Sequence, residues 1–132
     1  MPHPDIVSIL LAGLIINAAD IGVTLLFAAK AWNKVLEGQS IEPSPFTPPF
    51  YIIANFIGGG ILVQAWLLIA PNMTDASAAA LIASVSLWFV TRLYGAGHVV
   101  MRQMPWHLFA IMSGGLGAGY ILAGQFVAYR LG

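Results

Sequence analysis

The sequence predicts an all-α fold, a polytopic transmembrane four-helix bundle. Three observations predict it: an apolar composition, four apolar stretches of membrane-spanning length, and breaks between them that carry helix stop and start residues. Of the 132 residues, 59% are hydrophobic and 8% charged, against roughly a quarter charged in an ordinary soluble domain. A soluble domain of this length leaves much of its surface in water and needs polar side chains to cover it. This chain has too few, so lipid is the expected solvent and the bilayer an expected partner.

The stretches run approximately over residues 6–29, 49–70, 77–100 and 106–129, which makes 1–132 a single transmembrane domain. Each is close to the ~20 residues that cross ~30 Å of hydrocarbon. None shows the ~10-residue polar and apolar alternation of a barrel strand, the other way to satisfy a backbone in lipid. In the first stretch, Ile6 to Ile16 followed by Ala18-Ala19 has the outline of a signal peptide, but Met1 to Asp5 carries no Lys or Arg. A retained helix is therefore expected. Lys30 and Lys34 lie one turn apart on its continuation, and Gly38 is a natural stop.

From Ile41 to Pro49 the run Ile-Glu-Pro-Ser-Pro-Phe-Thr-Pro-Pro should lie extended along the membrane surface, with Pro49 opening the second helix. Pro71 closes that helix, and Thr74, Asp75 and Ser77 are candidate caps for the third. Pro105 starts the fourth, with Trp106 at headgroup depth.

Charge and cysteine usage exclude whole classes of function. Five Lys plus Arg balance five Asp plus Glu, so there is no basic field to hold nucleic acid. The absence of cysteine excludes disulfides, thiolate nucleophiles and iron–sulfur ligation. Lys30, Lys34 and Arg102 fall in the loops after the first and third helices, while the opposite face holds Arg130. Basic loops stay cytoplasmic, so both termini are expected on the periplasmic side.

The informative residues are polar groups inside the spans. A charge at a helix centre costs about 2.5–3.5 kcal/mol on insertion scales and normally turns inward to find a partner. Counting ~1.5 Å per residue, Asp20 lies about 21 Å and Arg92 about 22 Å from the terminal face. Asn55 at about 9 Å and Ser113 at about 10 Å from the opposite face fall near the same layer. Asn17, Asp20 and Thr24 share one helix face by spacing, as do Ser84, Trp88, Thr91, Arg92 and Gly95. The expectation is a candidate polar site of Asn17, Asp20, Asn55, Arg92 and Ser113. In it an Asp20–Arg92 ion pair, hydrogen-bonded by the others, lines a pocket. Three readings of that layer stay open: Arg92 reaching up to the headgroups with Asp20 protonated or bonded to Asn17, an ion pair that fixes helix register, and a pair that binds or moves a solute or proton.

His98 and His107 flank the loop that holds Arg102. Their place near the membrane surface favours interfacial hydrogen bonding over haem or metal ligation, so no cofactor and no metal site are expected. Glycine clusters at Gly58-Gly59-Gly60 and again at Gly115 and Gly119. These are small-residue faces that allow close helix packing within a bundle or between protomers.

The end of the first helix, Phe27-Ala28-Ala29-Lys30-Ala31-Trp32, followed by three more helices in so short a chain, resembles a family of small bacterial four-helix membrane proteins of unknown function. The resemblance implies a bacterial inner membrane and supplies no catalytic residue. Small multidrug transporters are similar in helix count and in an acid on the first helix. This chain differs in offering Arg92 as counter-ion and in its long proline-rich first loop. No nucleophile–base pair or acidic metal cluster stands out, so an enzyme is the least expected class. The leading expectation is a non-enzymatic membrane protein that self-associates or serves as an accessory subunit of a larger complex. The alternative is a small solute or proton transporter using Asp20 and Arg92.

Overall fold

In the computed structural model, which describes residues 5–38, 46–101 and 104–132, Asp5 caps the first helix, α1 (Ile6–Val23), by accepting a hydrogen bond from the Ser8 backbone N–H. That bond, with the Ser8 hydroxyl and the nearby Arg130 cation, holds the Asp5 carboxyl below its ordinary range. At Thr24 the winding loosens. Its N–H is shared between the carbonyls of Asp20 and Ile21, and Thr24–Ala28 form one π-helical turn before α2 (Ala29–Gly38) resumes α geometry. The rod is continuous and helical through Gly38; the stop expected there borders on residues outside the described ones.

The second rod, α3 (Thr47–Ile69), starts two residues ahead of the expected Pro49. Pro48 and Pro49 both sit in its first turn rather than in an extended run. A first-turn residue has no intrahelical acceptor for its N–H, so proline there forfeits nothing. The rest of the expected extended segment, 41–45, lies outside the described residues. Beyond Ile69 a 3₁₀ turn (Ala70–Asn72) containing Pro71 ends the rod. Asp75, of the three candidates, caps α4 (Ala76–Val100) by accepting from the Ser77 N–H at 2.9 Å. Pro105, in extended conformation, leads into α5 (Trp106–Leu131).

α1 occupies the middle of one side, packed against α3 and α5, and α5 packs in turn against α4. α3 and α4 touch much less. They are tied at the short turn that joins them, where Trp66 Nε1 donates to the Ala76 carbonyl at 3.0 Å. The core is a seam of small and aliphatic side chains, including Ala12, Ile16, Leu62, Val63, Ala80, Ala83 and Val127, with Trp66 at its α3–α4 end. At the terminal face, Arg130 joins the first helix to the last. Its Nε donates to Ser8 Oγ at 2.8 Å and its Nη2 lies 3.9 Å from Asp5 Oδ2.

The outer surface is apolar. Leu26 is 78% exposed, Leu68 76%, Val90 64% and Leu122 58%, and the same class of side chain continues around the bundle. Soluble monomers rarely expose contiguous apolar patches beyond a few hundred Å². Segments Ile6–Val35, Pro48–Asn72, Ala76–Gly97 and Trp106–Leu131 are each long and apolar enough to cross a membrane. The chain is a multi-pass membrane protein of four spans, and its exposed belt contacts lipid.

Candidate functional site

The polar residues of α1 and α3 interlock. Asn17 is buried and donates through Nδ2 to the Ile52 carbonyl at 3.2 Å. Asn55, also buried, donates to Asn17 Oδ1 and to Asp20 Oδ2, each at 3.0 Å. These bonds need α1 and α3 almost in backbone contact, which Gly13 and Gly59 provide: a Cβ on Gly59 would lie 2.6 Å from the Gly13 nitrogen and 2.9 Å from its Cα. The close approach sits within two turns of Asp20, so the amide of Asn55 reaches the carboxylate directly. No donor from the described residues reaches the other oxygen, Oδ1.

α4 faces α5 through the surface that carries Ser84 and Trp88. Ser84 Oγ donates to the Tyr120 carbonyl at 2.9 Å and Trp88 Nε1 to the Ser113 carbonyl at 2.7 Å. Gly117 lies directly under the indole, where a Cβ would come within 2.9 Å of Nε1. One turn further along, Thr91 Oγ1 donates back to the Trp88 carbonyl at 2.9 Å. Arg92 follows, its guanidinium carbon 5.8 Å from the centre of the Phe109 ring. A ring face at that distance attracts a cation without satisfying its N–H groups. Arg92 Nε is buried and has no acceptor among the described residues.

Asp20 and Arg92 look into one cavity of about 480 Å³. It occupies the space where α3 and α4 stand apart. Asp20, Thr24 and Asn55 form its polar wall on one side, and Thr91 and Arg92 face them from α4. Trp32, Tyr51, Leu116 and Tyr120 complete much of the remainder. The volume falls in the range of small-molecule sites, and a mostly apolar wall with a few polar groups is their usual make-up.

The expected direct ion pair is not formed. Among the described residues the ion pair within 4.0 Å is Arg130 to Asp5, and Asp20 is held instead by Asn55 across the α1–α3 seam. α4 is across the cavity from α1, so charges at one height are not neighbours. Ser113 is buried against Trp88, its hydroxyl has no partner among the described residues, and it is not part of the cavity wall. Asn17 braces Asn55 from behind.

The five glycines singled out in the sequence face inward. Gly58 lies under the Tyr120 hydroxyl, Gly59 against Gly13, Gly60 against Ile9, Gly115 against Val23 and Gly119 against Ile16 and Ala19. They bring the helices of one chain together, so a contact between protomers has to use other surfaces. His107 is exposed in the first turn of α5. His3, Arg102 and the side chain of His98 lie outside the described residues. Among the described residues no three of His, Asp or Glu gather where a metal ion could be held.

Sequence reasoning missed Tyr51, Trp32 and Tyr120 on the cavity wall and Phe109 beneath Arg92. Tyr120 carried a signal, since Leu116 and Tyr120 are spaced by four and share a face of α5. The π turn carried none.

No family model, curated protein or solved structure matches this chain. What stands of the resemblance to small bacterial membrane proteins is the architecture of four helices and four spans.

Proposed function

We propose that the protein is a non-enzymatic membrane protein of a bacterial inner membrane that binds and carries molecules bearing a small zwitterionic group, and that its binding site is the cavity between Asp20 and Arg92. One observation carries this reading. Two groups of opposite formal charge face a common cavity inside the spans, and neither is in contact with the other. In hydrocarbon an ionisable side chain without a counter-ion is costly and normally marks a substrate or proton path. A molecule with an anionic end for the Arg92 fork, a donor end for Asp20 and an apolar body between them supplies what both groups lack. In the proposed orientation the termini face the periplasm, which places the cavity in the cytoplasmic half of the membrane.

The competing reading is a self-associating protein or an accessory subunit of a membrane complex. The exposed apolar belt is available for such contacts, although the glycines are engaged within the chain.

A probe that separates the two is 6-aminohexanoate, a zwitterion whose charges are joined by methylenes. Proteoliposomes should take it up faster than empty liposomes, and Asp20→Asn and Arg92→Gln should each cut the rate about tenfold or more, the worth of one charge-assisted hydrogen bond. Uptake equal to that of empty liposomes, together with stable co-purification of a second membrane protein, favours the accessory role instead.

A further inference from the structure

The cavity has a side door. Ile21, Leu25, Phe50, Tyr51 and Ile52 line it and also belong to the exposed apolar surface, Leu25 being 68% and Phe50 67% exposed. Its wall therefore runs without a break into the face that touches hydrocarbon. The door lies between Ile21 and Leu25 on the first rod and Phe50, Tyr51 and Ile52 at the start of α3.

We infer that the occupant of this cavity is a phospholipid with a primary-amine headgroup, its phosphate on Arg92, its ammonium on Asp20 and its chains leaving along Leu25 and Phe50. The inference rests on the cavity being a binding site, as proposed above, and adds which molecule fills it. Charge complementarity selects the headgroup. Arg92 lines the cavity, its buried Nε has no acceptor among the described residues, and a guanidinium is the fork that matches phosphate oxygens. Asp20 has one oxygen occupied by Asn55 and the other without a donor among the described residues, so it calls for an N–H group and not merely a positive charge.

A primary ammonium has three N–H donors, whereas the quaternary ammonium of a choline headgroup has none and is wider. An anionic glycerol headgroup brings no cation to Asp20. The volume of about 480 Å³ takes a headgroup and the start of the glycerol backbone, and leaves the acyl chains outside. Cavity sites of 300–1,000 Å³ bury most of a ligand of drug size, and a whole lipid is larger.

The experiment is native mass spectrometry of the intact chain released from nanodiscs. One set contains phosphatidylethanolamine with phosphatidylglycerol, and the other phosphatidylcholine with phosphatidylglycerol in the same ratio. The wild-type chain should retain one phosphatidylethanolamine about tenfold more often than phosphatidylcholine, the discrimination one charge-assisted hydrogen bond gives. Asp20→Asn keeps an acceptor for Asn55 and should lose that preference while still retaining phospholipid. Arg92→Gln should lose retention of both lipids. If Arg92→Gln fails to fold by circular dichroism, Arg92→Lys takes its place, keeping a charge without the fork, and should weaken retention of both. Equal retention of the two lipids by the wild type, or a preference unchanged by Asp20→Asn, overturns the inference. Binding of 6-aminohexanoate to the detergent-purified protein separates the two levels. Binding that depends on Asp20 without any lipid preference sinks the lipid and leaves the site standing, whereas loss of both sinks both.

Discussion

Replacing Asn55 by leucine is expected to destabilise the bundle by about 2–4 kcal/mol, the cost of a buried amide oxygen and a half-buried carboxylate losing their donor. The Asn55 amide serves Asn17 Oδ1 and Asp20 Oδ2 at 3.0 Å each, and leucine has a similar shape without a donor. Ordinary hydrogen bonds between membrane helices average only ~0.6 kcal/mol, because chains unfolded in lipid find other partners. Asn55 should exceed that average because the Asp20 carboxyl group is an unusually costly group to leave unpaired within a span. Unfolding in mixed micelles, followed by circular dichroism, measures the change. Asn17→Leu should cost less, since Asn55 keeps its bond to Asp20. A variant as stable as the wild type would mean that the α1–α3 seam does not depend on these amides.

Gly59→Val is expected to have the larger effect, about 3 kcal/mol or more, the upper range for overpacking a close contact. A Cβ at Gly59 meets the backbone of Gly13 at 2.6 and 2.9 Å, and backbone atoms cannot step aside as a flexible side chain can. The helices have to part, and parting breaks the Asn17 bond to the Ile52 carbonyl and the Asn55 bonds with it. Gly60→Ala is the control. Its Cβ would lie 3.6 Å from the Ile9 side chain, an ordinary contact, and alanine favours the helix by up to 1 kcal/mol. The same unfolding measurement should show Gly59→Val strongly destabilised and Gly60→Ala at or above wild type.

Composition and stretch length carried the fold, because in hydrocarbon a backbone has few ways to satisfy itself and helices are the one that fits apolar runs of this length. The start of the last helix at Pro105 and three candidates for the cap of α4, Asp75 among them, were legible for a similar reason, since helix ends demand specific chemistry. The site was legible only in part. Counting residues along a helix gives the height of Asp20 and Arg92 but not which helices stand side by side, so equal height suggested a contact that the cavity prevents. Neighbour choice is set by small residues. Gly13, four residues before Asn17 on the same face, was the unrecognised half of the α1–α3 approach. The π turn at Thr24–Ala28 lies within residues that suit an α-helix equally well, and it shifts Leu25 and the residues after it off the face that a strict 3.6-residue period assigns. Ser113 was placed by depth with the other polar groups, yet it is off the cavity wall and meets Trp88 through its backbone carbonyl.

An experimental density map of the protein in native-lipid nanodiscs tests the account most directly. Density bridging Asp20 and Arg92 across an open cavity, continuous with an acyl chain along Leu25 and Phe50, is the expected result. A closed bundle, in which the Arg92 guanidinium sits on the Asp20 carboxylate and no space remains between them, would contradict it.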